Sequence, residues 1–564
     1  MSKRSKTIIS IAFVLLICIG FSGFRPQKLM RDSILIMDIS GEIPENVPYN
    51  PFWGFFEPPP ITVLDKVMML RKAKVDKRVK ALILTIHDNS LGFGKIQELR
   101  EAIKLFRESK KPAVCYLELE GDADLSYYLA TACDKIYISP ASFMDLNGLK
   151  SFYFFLGGFF EKLKISVQVA KVREYKTFGD MLSRRSMSKW HREMAESLLN
   201  DLWDQYLSAI SQARGIDREK LVKIIDQYLL VPEKYQQAGL IDGVRYLDEI
   251  VKELSGKKKL SLVKEREYLS YPPEYLGINK GPKVAVVFAV GNIVNREPGD
   301  QPVSASIMSA ERMVKVLEKV AEDDSIKAVI FRIDSGGGSA LASDLIWRAT
   351  QKLRKKKPFI VSMSDTAGSG GYYIACGADA IIAQPATFTG SIGVVNAHFG
   401  LEGLLNWLRV GTETLKRGTY ADFNGFVRPW SEEEQKKAQQ GVEGLYQLFL
   451  DRVSKGRNLS KEEIDRIGRG RVWTGRQAKE KGLVDGLGGF LQAVELVKKR
   501  LGVKEVKLVY KRKRISIWKL LFGRIDDEFI SLIAGNSALK KSLILGRIYK
   551  QGEKLFWMPQ IRID

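Results

Sequence analysis

The sequence predicts two α/β domains in tandem behind one N-terminal membrane helix, and three observations carry that prediction. A chain of 564 residues exceeds what one compact core usually holds. Its second half repeats the first motif by motif. Its N-terminus opens on an uncharged apolar run, "TIISIAFVLLICIGFSGF", Thr7 to Phe24.

As a helix that run would span about 27 Å, close to a bilayer core of roughly 30 Å. Lys3, Arg4 and Lys6 precede it, which places residues 1–6 on the cytoplasmic side and makes 7–24 the anchor. "FSGF" is a poor cleavage site, so the anchor is read as uncleaved. Ile17 stands before Cys18 where a lipid-attachment site wants a small residue, so Cys18 is read as a buried cysteine of the helix.

The first repeat is expected over 30–275 and the second over 280–502, with the seam in "SYPPEYLGINKGP", Ser270 to Pro282, where Pro and Gly cluster. "VKALILTIHDNSLGFG" from Val79 is matched by "IKAVIFRIDSGGGSAL" from Ile326. "SILIMDISGEI" from Ser33 pairs with "VAVVFAVGNIV" from Val284, and "QQAGLIDGV" from Gln236 with "KEKGLVDGL" from Lys479. In each unit short β-branched runs alternate with amphipathic stretches, as in "ALIL" followed by "KIQELREAIKLFRES", where Ile96, Leu99, Ile103 and Leu105 mark a helical stripe. That alternation predicts layers around mainly parallel strands. Residues 503–564 read as a basic tail, whose mixture of charge and apolar residues suits an anionic membrane surface or plain solvation.

Lys and Arg number 89 against 66 Asp and Glu, a formal charge of +23. That balance suits nucleic acid, an anionic membrane or solubility, and alone decides nothing. Cys115, Cys133 and Cys376 lie in apolar segments without metal-ligand spacing and read as small core residues. No metal and no cofactor are implied.

The chemistry is read from where the copies differ. "SDTAGSGGYYIA" from Ser364 puts Ser369 in a glycine run between a strand-like and a helix-like segment, and the first copy has Asp124 there. "SGGG", Ser335 to Gly338, corresponds to "DNSL" from Asp88. Such glycines let backbone N–H groups approach a ligand and form an oxyanion hole, for which Gly370 and Gly337 or Gly338 are the candidates. A serine nucleophile needs a base. The three histidines, His87, His191 and His398, stand in no triad setting. "AKVREYKTFGDML" aligns with "LKRGTYADFNGFV", which pairs Tyr175 with Tyr420 and sets Lys176 against Ala421. One copy keeps a lysine and the other a serine, as expected if both build a single site. Lysine serves as base only when neutral, which needs its pKa brought down from about 10.4 by burial. Serine–lysine pairs are a known variant of nucleophilic catalysis.

"TAGSGGYYIA", "TGSIGV" from Thr389, "RIDSGGGSA" from Arg332 and "EYKTFGD" around the lysine together resemble the signal peptide peptidase A (protease IV) family in its long tandem form. The resemblance runs from the anchor to about residue 500. It implies domains like those of Clp protease and crotonase, with Ser369 as nucleophile, Lys176 as general base and Ser391 orienting the lysine. It also implies a homotetramer at the outer, periplasmic face of a bacterial inner membrane, cleaving remnant signal peptides and other short apolar peptides, with membrane lipid but no nucleic acid as a partner. Asp334-Ser335-Gly336 stands where the family reads Asn-Ser-Pro, and Glu174 and Thr177-Phe178 depart from the lysine motif. "PFWGFFEPPP" from Pro51 and "SFYFFLGGFFEKL" from Ser151 would line a groove, touch lipid, or belong to the core or a subunit interface. A crotonase-type acyl-CoA enzyme and a non-catalytic membrane scaffold stand as alternatives.

Overall fold

The computed structural model describes residues 32–47, 58–257, 260–296, 307–510, 555–557 and 562–563. The expected anchor, residues 7–24, and most of "PFWGFFEPPP" lie outside them. No helix among the described residues is long and apolar enough to cross a membrane.

The β-branched runs become the central strands of two sheets with the same order. In the first unit the strands run Ser261–Lys264, Ser33–Gly41, Val79–Asn89, Ala113–Leu117, Lys135–Ile138, Gly243–Val244 across the sheet, all parallel. In the second they run Lys507–Tyr510, Lys283–Val290, Ile326–Ser335, Phe359–Gly368, Ala380–Ala383, Gly486–Leu487, again all parallel. The repeat seen in the sequence is therefore a repeat of topology. The second sheet runs on to Tyr510, past residue 503 where the tail was expected to begin. A short turn at Pro273–Leu276 occupies the predicted seam.

Helices cover both sheets, as buried parallel strands require. The helix Phe93–Arg107 buries Ile96, Leu99 and Ile103 as its stripe predicts, but Phe106, not Leu105, completes the buried face. A spacing of three from Ile103 keeps Phe106 on that face, and Leu105 turns away from it. Cys115, Cys133 and Cys376 are buried free thiols.

A third sheet joins the units. Ser166–Lys171 of the first runs antiparallel to Val395–Gly400 of the second, in register from Lys171 opposite Val395 to Ser166 opposite Gly400. The chain leaving Ser166–Lys171 is thereby delivered into the second unit. Charge crosses the seam as well. Arg332, fully buried, bonds Glu45 at 2.6 Å and also pairs with Glu98, both from the first unit. Burial works to raise the pKa of Glu45, yet the charge and hydrogen bond of Arg332 hold it below the usual carboxylate range. Of the aromatic residues of "SFYFFLGGFFEKL", Phe152, Phe154 and Phe159 face outward, all more than half exposed, while Tyr153 and Phe155 pack on His191.

Candidate active site

Ser369 lies between the strand Phe359–Gly368 and the short helix Gly370–Ala375, at φ 53° and ψ −114°. A non-glycine residue in that region is strained, and the surroundings must hold it there. Its N–H donates to the Gly390 carbonyl at 2.8 Å and its carbonyl accepts from Tyr373 N–H at 2.8 Å, so both sides of the turn are fixed. Gly370 is obligatory because a Cβ there would meet Ser343 Oγ at 2.6 Å and Gly338 N at 3.2 Å. Gly337, Gly338 and Gly370, the backbone donors expected from the sequence, thus converge beside the serine. The N–H of Gly337 donates to Ser335 Oγ at 3.2 Å, a bond internal to its turn. That bond leaves Gly338 and Gly370 as the candidates for a substrate oxygen.

Lys176 reaches this turn from the first unit. Its Nζ lies 2.8 Å from Ser369 Oγ and 3.0 Å from both the carbonyl oxygen and the Oγ of Ser391. Lys176, Ser369 and Ser391 are all fully buried. Burial alone brings the lysine well below its ordinary pKa, with no carboxylate among the causes to restore it. A neutral amine has two N–H donors and one lone pair. Three oxygens surround it: an ammonium would donate to all of them, and once deprotonated the amine keeps two N–H groups for Ser391 and a lone pair for the Ser369 hydroxyl.

The cradle of that lysine includes a segment the sequence analysis missed, Gly468 to Arg471. Tyr175 N–H donates to Arg469 O at 3.2 Å, Gly470 N–H to Ile392 O at 2.8 Å and Ser391 N–H to Arg471 O at 2.7 Å. Gly470 has φ +83°, and a Cβ on it would lie 2.7 Å from Lys176 Cα. Glu174, a departure from the family motif, bonds Arg469 at 2.8 Å. A signal was present in the sequence: with the copies aligned on "GLIDG" and "GLVDG", Gly468 and Gly470 stand where the first copy has Ile225 and Gln227.

The departure at Asp334 also has a partner. Asp334 bonds Lys95 of the first unit at 2.7 Å and accepts Thr366 N–H at 3.1 Å, and Lys95 bonds Asp365 too. Burial pushes the Asp334 carboxyl up to about 6 against the pull of Lys95. An ion pair between units therefore braces the two turns that carry Gly337 and Ser369.

In the first unit, Asp124 is a structural residue. It is buried, accepts Tyr206 Oη–H at 2.7 Å and the N–H groups of Asn147 and Gly148 at 3.2 Å, and burial pushes it up to about 6. Tyr420 and Ala421, counterparts of Tyr175 and Lys176, are on the surface. None of the histidines contacts the pair. His87 lies against Asp38 and Glu118, and His398 Nε2 is 2.9 Å from Arg428 O with its ring stacked on Trp430. His191 is buried against Tyr153 and Phe155, and burial brings it down to about 4.

A buried serine on a strained turn, set against an amine whose pKa burial lowers and beside backbone donors, is equipped for acyl transfer in the manner of serine hydrolases whose base is lysine. The model of peptidase family S49 matches residues 105–261 and 351–504, one span in each unit. A chloroplastic serine protease SPPA of Arabidopsis thaliana is 36% identical over 86% of this chain and 72% of its own. Protease 4 of Haemophilus influenzae is 30% identical over 93% of this chain and 88% of its own. A putative signal peptide peptidase SppA of Enterococcus faecium is 34% identical over 38% of this chain and 67% of its own. The chain belongs to peptidase family S49, in its tandem two-domain form, and is a serine protease.

Proposed function

We propose that the chain is a membrane-anchored endopeptidase in which Ser369 is the nucleophile and Lys176 the general base, acting on short apolar peptides, remnant signal peptides among them. The observation that carries this reading is the 2.8 Å approach of Lys176 Nζ to Ser369 Oγ. The lone pair of Lys176 takes the hydroxyl proton as Oγ bonds the substrate carbonyl carbon. The resulting oxyanion is held by the N–H groups of Gly338 and Gly370. The lysine, now an ammonium, gives its proton to the departing amine, and water then releases the acyl group by the same exchange. Ser391 keeps the amine aimed throughout.

Exposed Phe152, Phe154 and Phe159 support apolar substrates. The apolar run at 7–24 supports an anchor in a bacterial inner membrane with both units on the periplasmic side, and the resemblance supports a tetramer. Assays of wild type, Ser369→Ala and Lys176→Ala on fluorogenic apolar peptides test the dyad. Equal activity in all three would remove it.

A further inference from the structure

The copies differ at one more pair of positions, and the difference again falls across the seam. With Val79 aligned on Ile326, Lys95 stands opposite Ala342 and Asp334 opposite His87. Each copy keeps one half of an ion pair, as each keeps one half of the dyad. The helix Phe93–Arg107 brings the halves together, because its first turn lies against the second unit. A Cβ on Gly92 would meet the Asp365 carboxylate at 2.4 Å, and one on Gly94 would meet the Ser364 carbonyl oxygen at 3.0 Å. The Lys95 N–H donates to Asp365 Oδ1 at 2.8 Å, and Lys95 Nζ lies 2.7 Å from Asp334 Oδ2 and 2.9 Å from Asp365 Oδ2.

Position gives this contact its meaning. Asp334 stands three residues before Gly337, and Asp365 four before Ser369. Asp334 Oδ1 also accepts Thr366 N–H at 3.1 Å, so the lysine and the Asp334 carboxylate tie the strand that leads to the oxyanion glycines to the strand that ends on the nucleophile. A substrate oxygen can bond Gly338 and Gly370 together only if those strands keep their spacing, and errors of about 1 Å in such geometry are costly. The side chains of Lys95, Asp334 and Asp365 are each less than a fifth exposed. Removing the ammonium would leave two carboxylates side by side without their cation.

We propose that Lys95 is a positioning residue of the second unit's site, and that the first unit, besides lending the base, clamps the two catalytic turns at their working separation. The proposal rests on the protease reading for its kinetic consequence but not for the clamp itself.

Lys95→Met, made in the full chain, removes the cation and keeps most of the volume. On an apolar reporter peptide kcat should fall at least about tenfold with KM within about threefold. Adding Asp334→Asn discharges one carboxylate and keeps an oxygen for Thr366 N–H, so kcat should return to at least about a third of wild type. In a Ser369→Ala background, amide hydrogen exchange at Thr366 and Gly337–Ser339 should quicken about tenfold with Lys95→Met and slow again with Asp334→Asn. Exchange in Lys135–Ile138 and Ala380–Ala383 should be unchanged, which controls for folding. Unchanged kcat in Lys95→Met, a loss carried by KM, or a double variant no faster than the single overturns the proposal. Exchange quickened in the control strands as well would make Lys95 a general stabiliser and overturn it too. A wild type that cleaves no peptide would refute the dyad instead, and exchange at Thr366 and Gly337–Ser339 would then decide the clamp.

Discussion

Lys176 Nζ and Ser369 Oγ lie 2.8 Å apart although 193 residues separate them, and both side chains are withdrawn from water. The lysine comes from the unit whose nucleophile position is Asp124, and the serine from the unit whose lysine position is Ala421. The pair forms within one chain because Ser166–Lys171 crosses to the second unit and pairs there.

Replacing Lys176 by Met keeps the volume and removes the base. Activity should fall at least about 10³-fold in kcat/KM. Thermal stability should rise, because burying an amine costs solvation that a thioether does not lose. Peptidase assays and a melting curve on one preparation check both. A stability loss would mean that the site gains more from the amine's hydrogen bonds than burial costs.

Activity should rise with pH through the lowered pKa of Lys176. The sign follows from the direction of the shift: below that pKa the amine is protonated and cannot accept the serine proton, and above it the base is free. The ascending limb of kcat/KM should survive in His398→Ala, since that ring bonds Arg428 O and not the dyad. Loss of the limb only in the histidine variant would move the base assignment to His398.

Gly470→Ala would drive a Cβ into the Lys176 backbone from a left-handed conformation, displacing the base. A drop of about 10²-fold in kcat is expected from a misplacement of this order. Gly418 is the control, with φ +94° but nothing within 4 Å of its Cβ position. Gly418→Ala should show a strain cost of about 1–3 kcal/mol at most and near-normal turnover.

Asp124→Ala should leave kcat within about threefold while lowering stability by about 1–3 kcal/mol. It strands the Tyr206 hydroxyl and two backbone N–H groups in the interior. Denaturant melts and turnover on the same variant separate the effects, and a collapse of kcat in a folded protein would give the first unit a catalytic part.

Arg332→Ala should be costlier, about 3–5 kcal/mol, because it leaves Glu45 and Glu98 buried without their shared cation. Denaturant unfolding measures the loss, and a shift under 1 kcal/mol would show that the interface relaxes to admit water.

Read alone, the sequence determined that the chain is a tandem repeat of parallel α/β units, because β-branched runs and turn residues recur in step and each copy shows which positions the other has lost. It singled out Ser369 and Lys176 the same way, since each copy lacks the group that the other keeps, whereas Ser391 rested on the resemblance carried by "TGSIGV". Only the tertiary structure decided that the serine and lysine meet within one chain, that Gly470 walls in the lysine, that Lys95 answers Asp334, and that Leu555–Trp557 pairs with Gly337–Ser339. Each of these is a contact between segments far apart in the chain, set by which strand edge is open and which backbone lacks a Cβ, and no local pattern of residues encodes such a pairing.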